Sequence, residues 1–220
     1  DHRDLHSFPT RRSSDLLIYT TVRKGGIVRA EKGINAPGMD RSGLSLSRKD
    51  QQDLKWASPI HFDVVCLSFV TCEHEIIQCK EIVRASMGSS HQFPRIWAKI
   101  ENREAIENFN SIVKHVDGIV LGRGDLTSEV GIYEIPELQE RLSKKTVRMK
   151  KEFLVATYVL ENMRYHPVPL VTECCEIWNC LSRKTTGFIL TAEVAVGKYP
   201  IQAVQTLKKM ERLFEKNKEK

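Results

Sequence analysis

Two short segments are the most informative part of this sequence: Ala98-Lys99-Ile100-Glu101-Asn102 and Gly122-Arg123-Gly124-Asp125. Each segment ends a predicted β-strand on charged residues. Because residues i and i+2 of a strand share a face, Lys99 and Glu101 project together and Ile100 points the other way. Asp125 follows the next apolar run, residues 118–121. One ammonium group and two carboxylates at strand ends predict a site that holds a divalent metal beside an anionic substrate.

Short apolar runs alternate with amphipathic stretches from Asp63 onward. The predicted strands are residues 64–70, 96–100, 118–121, 153–160 and 188–190. Apolar residues spaced by three or four predict helices after these runs. The helical sets are Ile76, Cys79 and Val83; Ile106, Phe109, Ile112 and Val113; Ile135, Leu138 and Leu142; Cys174, Ile177, Trp178 and Leu181; and Ile201, Val204, Leu207, Met210 and Phe214. Pro200 suits the first position of the last helix. Strands that alternate with helices are typical of βα units and a parallel sheet.

Polar residues at the carboxyl end of each predicted strand favour a barrel over a doubly wound sheet, because the active site of a barrel lies at that end. A complete barrel has eight strands and about 250 residues. The predicted fold class is therefore α/β: a partial (β/α)8 TIM barrel of about five C-terminal βα units, covering residues 33–220.

The first part of the chain differs in character from the rest. Residues 17–32 are polar and punctuated by glycine, and Gly25-Gly26 suits a hairpin turn. We expect this segment to be the remnant of a small β lid domain. Residues 1–16 lack periodicity and resemble the translation of a sequencing adapter. We therefore expect a non-native, disordered segment there, and native coding sequence that begins upstream of Leu17.

The composition excludes several functional classes. Hydrophobic residues make up 41% and charged residues 28% of the chain, which is ordinary for a folded protein with a core. The net charge of +6 owes much to the lysine-rich tail, which lacks interleaved aromatic residues and predicts no nucleic-acid binding. No apolar run approaches the roughly 20 residues that span a bilayer, so no membrane association is expected. The six cysteines form no C-x-x-C pair and suit reduced thiols of a cytoplasmic protein.

Six motifs, in this order along the chain, resemble pyruvate kinase. They are the segments 32–38 and 50–55, then Lys99-Ile100-Glu101-Asn102, Arg123-Gly124-Asp125-Leu126, Ala156-Thr157 and Gly197-Lys198-Tyr199-Pro200. The resemblance covers residues 17–220. It implies the last strands of the lid and strands four to eight of the catalytic barrel. It also implies that the first three barrel strands and the C-terminal regulatory domain are absent.

The resemblance implies a glycolytic kinase that transfers a phosphoryl group from phosphoenolpyruvate to ADP, giving pyruvate and ATP. Lys99 would face the transferring phosphoryl group and the enolate oxygen, and Glu101 and Asp125 would bind Mg²⁺ or Mn²⁺. The backbone of Gly124 and Asp125 would hold the substrate carboxylate, and the Thr157 hydroxyl would lie beside the enolate carbon. The family also implies K⁺, whose ligands belong to the absent strands, and a homotetramer.

Departures from the family pattern keep alternatives open. Residues 158–159, 169–173 and 191–195 differ from the usual family sequences, and Thr71 stands where a basic residue is common. The alternatives are another magnesium-dependent phosphoenolpyruvate or pyruvate barrel enzyme, such as a lyase, and a diverged, inactive pyruvate kinase-like protein. Lys99 and Glu101 also suit a purely structural ion pair, and threonine suits strands in any case. We expect the 220-residue chain alone to be inactive.

Overall fold

The computed structural model describes residues 21–23, 25–26, 46–60, 62–87 and 92–218. The chain divides into two units, residues 1–36 and 37–220, and all the elements below belong to the second. The predicted adapter segment and most of the predicted lid remnant lie outside the described residues, so both stay predictions.

Within the described residues, five parallel strands form one sheet in sequential order. They are β1 (Val64–Leu67), β2 (Arg95–Ile100), β3 (Gly118–Gly122), β4 (Glu152–Ala156) and β5 (Gly187–Ile189). In the register of the central pair, Ile100 lies opposite Leu121, which brings the two charged strand ends next to each other. The predicted rhythm of five βα units is confirmed.

One helix precedes β1, and one or more helices follow each strand. They are α1 (Arg48–Ala57), α2 (Glu73–Ser86), α3 (Arg103–Glu107), α4 (Phe109–His115), α5 (Arg123–Val130), α6 (Ile135–Arg148), α7 (Val171–Ser182), α8 (Ala192–Ala195) and α9 (Pro200–Lys218), with a short 3₁₀ turn at Glu161–Arg164. Pro200 opens α9 as predicted. The single helix predicted around residues 106–113 is two helices, because the backbone leaves the helical conformation at Asn108 and Asn102 caps a separate first helix.

The helices pack on one face of the sheet. Ile96, Ala98 and Ile100 of β2 belong to the main core, together with the apolar faces of α2 to α6. On the opposite face, a small cluster of Val120, Leu154 and Ala156 packs with Trp97 and Ile189 and, among the described residues, includes no helical residue. A helix layer on one face is the arrangement of a barrel wall, whereas a doubly wound sheet has helices on both faces. We call the face of Trp97, Lys99, Val120 and Leu154 the inner face.

Trp97 occupies the inner face at the amino ends of the strands. Its indole Nε1 donates a hydrogen bond to Glu152 Oε2 (2.8 Å), and Arg95 Nη1 lies 2.6 Å from Glu152 Oε1. A Cβ atom at Gly118 would approach the Trp97 ring to 2.7 Å, so the ring lies directly on the β3 backbone. This structural cluster leaves the carboxyl ends of the strands for the charged residues.

Two predicted strands end earlier than expected. β1 stops at Leu67, and Phe69 has a left-handed φ of 54°. β4 stops at Ala156, because Thr157 and Tyr158 have φ values of 68° and 55°, which cannot continue a strand. The interpretation of Thr157 as a strand residue is therefore wrong.

The predicted apolar face of α9 is also partly wrong. Ala203 and Phe214 are buried, but Ile201 is 68% and Val204 42% exposed. The buried stripe is centred on Ala203, because this small residue packs with the cluster that includes Leu160 and Ile177. In the part of the chain that the structure describes, no helix has the length and apolarity needed to traverse a bilayer.

Candidate active site

Lys99 and Glu101 meet on the inner face, at the carboxyl end of β2. Lys99 Nζ lies 2.6 Å from Glu101 Oε1, and the Glu101 side chain is only 2% exposed. Glu101 Oε2 accepts a hydrogen bond from the Phe69 N–H (3.0 Å), and Lys99 Nζ donates a long one to Ser68 Oγ (3.5 Å). The predicted pairing of these two side chains on one face is present. Since Lys99 is 27% exposed, its ammonium group combines a buried partner with access to solvent.

Gly122 makes room for the Glu101 carboxylate. A Cβ atom at Gly122 would lie 2.5 Å from Glu101 Cγ and 2.7 Å from Oε1. Both distances are far below ordinary van der Waals contact, so the carboxylate lies directly against the end of β3. Any side chain here would displace it.

The Arg123-Gly124-Asp125 motif forms the first turn of α5, immediately after β3. In the first turn of a helix the N–H groups have no carbonyl partner four residues earlier, and the helix dipole favours negative charge there. Asp125 itself is a half-buried residue of this first turn. It lies three residues after Gly122, the glycine that contacts Glu101.

The Thr157 side chain lies over this first turn. A Cβ atom at Gly124 would be 3.1 Å from Thr157 Cγ2 and 3.5 Å from Thr157 Oγ1. Thr157 and the next residue, Tyr158, both have left-handed φ angles. Conformations of this kind cost about 1–3 kcal/mol each in residues other than glycine, and they persist only where surrounding contacts hold them.

Arg123 provides such contacts, and the sequence pattern did not reveal this. Its side chain is 8% exposed. Nε and Nη2 donate to the Thr157 carbonyl oxygen (3.0 and 2.7 Å), and Nη2 also donates to the Tyr158 carbonyl oxygen (2.9 Å). Nη1 donates to Glu176 Oε1 (2.8 Å) and Gln139 Oε1 (3.2 Å). The one available signal was an arginine directly after a wholly apolar strand, which must find buried partners.

Two carboxylates with lowered pKa values belong to the neighbouring segments: Glu176 is partly exposed, and Glu193 is buried. Burial raises the pKa of Glu176, but the hydrogen bond from Gln139 and the Arg123 charge together lower it by more. The pKa of Glu176 is therefore below its ordinary value. Glu193 of α8 accepts hydrogen bonds from the N–H groups of Leu160 (3.1 Å) and Thr191 (2.7 Å). Burial raises its pKa as well, and backbone hydrogen bonds again lower it by more. Glu193 thus ties the segment after β4 to the segment after β5.

The thiol of Cys66 also belongs to the inner face, on β1 beside the Lys99–Glu101 pair. Desolvation raises its pKa to about 11, an effect that the nearby Lys99 charge opposes and the Glu101 charge reinforces. Although the residue keeps accessible surface, its thiol is protonated at neutral pH. All six cysteines are free.

The oxygen donors at this end of the sheet suit one class of metal. Across the described residues, no group of three or more His, Cys, Asp or Glu side chains is arranged to hold a metal ion. Glu101 and Asp125 supply two carboxylates, whereas a closed structural zinc site needs four protein ligands. Mg²⁺, by contrast, is commonly held by one or two carboxylates, with substrate and water as its other ligands. The residues present fit that ion.

Comparison with known proteins assigns the family. The family model described as pyruvate kinase, barrel domain, matches residues 9–204. The chain belongs to the pyruvate kinase family. It is 33% identical to a pyruvate kinase of Thermotoga maritima, over 94% of this chain and 44% of that protein. It is 33% identical to one of Geobacillus stearothermophilus, over 86% of this chain and 32% of that protein, and 34% identical to one of Mycobacterium tuberculosis, over 91% and 42%.

Membership of the pyruvate kinase family confirms the resemblance and the fold class, a partial TIM barrel. The chain spans about a third to less than half of the length of the curated relatives it matches. Of the predicted site residues, Lys99 contacts Glu101, and Thr157 lies against Gly124. Asp125 follows in the same helical turn as Gly124. The roles of these residues remain proposals.

Proposed function

We propose that the whole protein transfers the phosphoryl group of phosphoenolpyruvate to ADP, giving pyruvate and ATP, and so performs the last step of glycolysis. The observation that carries the proposal is the Lys99 ammonium group, held 2.6 Å from a buried carboxylate on the inner face. It lies at the carboxyl end of the strands, where TIM-barrel enzymes bind their substrates. Membership of the family supports the same reaction.

Phosphoryl transfer depends on positioning and on neutralising charge, and little covalent chemistry is required of the protein. Lys99 stabilises the transferring phosphoryl group and then the negative charge on the enolate oxygen. Its pairing with Glu101 keeps the ammonium group aimed at one place. A single donor of this kind is typically worth about 10²–10³ in kcat.

The first turn of α5 binds the carboxylate of the substrate. Gly124 carries no side chain, so an anion can approach its backbone N–H closely. Anions are favoured at helix amino ends because unpaired N–H groups and the helix dipole act together there. Asp125 contributes its backbone N–H in the same way, and its carboxylate would be a ligand of the metal.

Thr157 orients the substrate and takes part in delivering the proton that converts the enolate to pyruvate. Its hydroxyl lies over the same helical turn that would hold the substrate carboxylate. From there the hydroxyl would reach the enolate carbon that takes up the proton.

Glu101 and Asp125 would hold Mg²⁺ or Mn²⁺, which when bound neutralises phosphate charge and acts as a Lewis acid. A requirement for K⁺ and a homotetrameric assembly are proposed from the family likeness alone.

The test is an assay of the protein produced from its complete gene. ATP formation from phosphoenolpyruvate and ADP is expected, with dependence on Mg²⁺ or Mn²⁺, and it is measured with and without K⁺. Asp125→Asn should shift the Mg²⁺ activation curve to higher concentration. A folded protein that forms no ATP at any metal concentration would contradict the proposal and favour a diverged, inactive family member. The altered residues 169–173 and 191–194 are what favour that second candidate.

A further inference from the structure

Thr157 and Tyr158 form a sharp corner after β4. Their φ angles are 68° and 55°, and two consecutive left-handed residues other than glycine are uncommon. We propose that Arg123 is a positioning residue that holds this corner, and thereby sets the Thr157 hydroxyl over the first turn of α5. The inference rests on the proposed function, since the role of Thr157 belongs to that function.

All the N–H donors of the Arg123 guanidinium group are used in hydrogen bonds within the protein. Arginine offers five N–H donors in a rigid plane. Three hydrogen bonds reach the carbonyl oxygens of Thr157 and Tyr158, and two reach the side chains of Gln139 and Glu176. Because every donor is used and the side chain is buried, Arg123 acts through the corner and does not touch substrate.

Two other helices hold the guanidinium group from behind. Gln139 of α6 donates to Glu176 Oε1 (2.9 Å), and the same oxygen of Glu176, on α7, pairs with Arg123 Nη1 (2.8 Å). Arg123 also immediately precedes Gly124 in the chain. One residue therefore links the turn that would bind the substrate carboxylate to the corner that carries the hydroxyl.

The decisive variant is Arg123→Lys in the protein produced from its complete gene. Lysine keeps a positive charge beside Glu176 but lacks the planar set of donors that reaches two carbonyl groups. We expect kcat to fall about 10–100-fold, since misplacing a reacting group by 1 Å can cost about 100-fold. The KM for ADP should stay unchanged if Arg123 acts only through the position of the Thr157 hydroxyl. Arg141→Lys is the matched control, since Arg141 is a half-exposed residue of α6 paired with Glu137 (3.0 Å), and its activity should be that of the wild type.

A double-mutant cycle separates positioning from general support of the fold. Thr157→Val removes the hydroxyl but keeps the branched shape that packs on Gly124. If Arg123 acts through Thr157, Arg123→Lys should cause little further loss of kcat in the Thr157→Val background. Fully additive losses would overturn the proposal. If Arg123→Lys does not fold, adding Tyr158→Gly should restore folding, because glycine adopts a positive φ without strain; failure of that rescue would also count against the proposal.

A crystal structure of Arg123→Lys tests the inference independently of catalysis. We expect Thr157 Oγ1 to move away from Gly124 and the φ angles of residues 157 and 158 to change. An unchanged corner would overturn the role of Arg123 even if the enzyme is active. A displaced corner would support it even if the wild-type protein forms no ATP, so the two proposals fail separately.

Discussion

Replacing Gly122 by alanine tests the geometry of the candidate site with a single methyl group. The new Cβ atom would lie 2.5 Å from Glu101 Cγ and 2.7 Å from Glu101 Oε1, where ordinary contact begins at 3.4 Å. The Glu101 side chain must therefore move by about 1 Å. It is held on both oxygens, by Lys99 Nζ at 2.6 Å and the Phe69 N–H at 3.0 Å, so the movement disturbs both contacts.

The expected cost follows from overpacking a well-filled site. Insertions of this kind destabilise proteins by about 1–3 kcal/mol, and each kcal/mol lowers Tm by about 2–4 °C in a domain of this size. Because Glu101 is a proposed metal ligand, a shift of 1 Å should also lower kcat by about 100-fold. The Mg²⁺ concentration for half-maximal activity should rise at the same time.

The assay combines thermal unfolding with an Mg²⁺ titration of ATP formation, on the protein produced from its complete gene. Gly187→Ala is the control. It is also a strand glycine of the same sheet, but its Cβ atom would meet only the flexible end of Leu154, at 3.3 Å. If Gly122→Ala matched the wild type in both Tm and Mg²⁺ response, the proposed packing of Glu101 against β3 would be wrong.

Three further predictions concern individual side chains. Lys99→Met should lower kcat by about 10²–10³-fold and leave the circular dichroism spectrum unchanged. Lys144→Met, at an exposed position, is the control, and near-normal turnover of Lys99→Met would contradict the proposed stabilisation of the phosphoryl group by Lys99. Glu193 has a depressed pKa, so it stabilises the fold above its ordinary value of 4.5, and this contribution is lost as the pH falls below that value. Glu193→Gln should therefore lower the urea midpoint at pH 7 and flatten its decline in acid; parallel profiles would disprove the assignment. Cys66, with a pKa of about 11 in place of 9.0, should react with iodoacetamide at pH 8 about 10-fold more slowly than a free thiol, because its thiolate is about 100-fold scarcer but more nucleophilic. Peptide mass spectrometry measures the labelling rate, and labelling at the rate of a free thiol would contradict the raised pKa.

Local patterns predicted much of the sheet and half of the candidate site. The two-residue period of a strand placed Lys99 and Glu101 on one face, and the structure brings them to 2.6 Å. The helical spacing of Ile76, Cys79 and Val83 likewise marked the buried residues of α2. These predictions succeeded because the periods of strands and helices are properties of the backbone within a few residues.

The failures have a common cause in contacts between distant residues. Threonine favours strands, yet Thr157 lies in a left-handed corner, where its carbonyl oxygen accepts hydrogen bonds from Arg123, 34 residues earlier in the chain. The apolar pattern of α9 could not show that Ala203, and not Ile201, faces its neighbours.

Strand order, most helix positions and the pairing of one ammonium group with one carboxylate could therefore be predicted from residue types and their spacing. That a glycine at the end of β3 makes room for the Glu101 carboxylate, and that a buried guanidinium donates to the carbonyl groups after β4, was decided only by the folded protein. The physical reason is that steric fit and hydrogen bonding act over a few ångströms. The separation of two residues along the chain does not show whether they come that close in the folded protein.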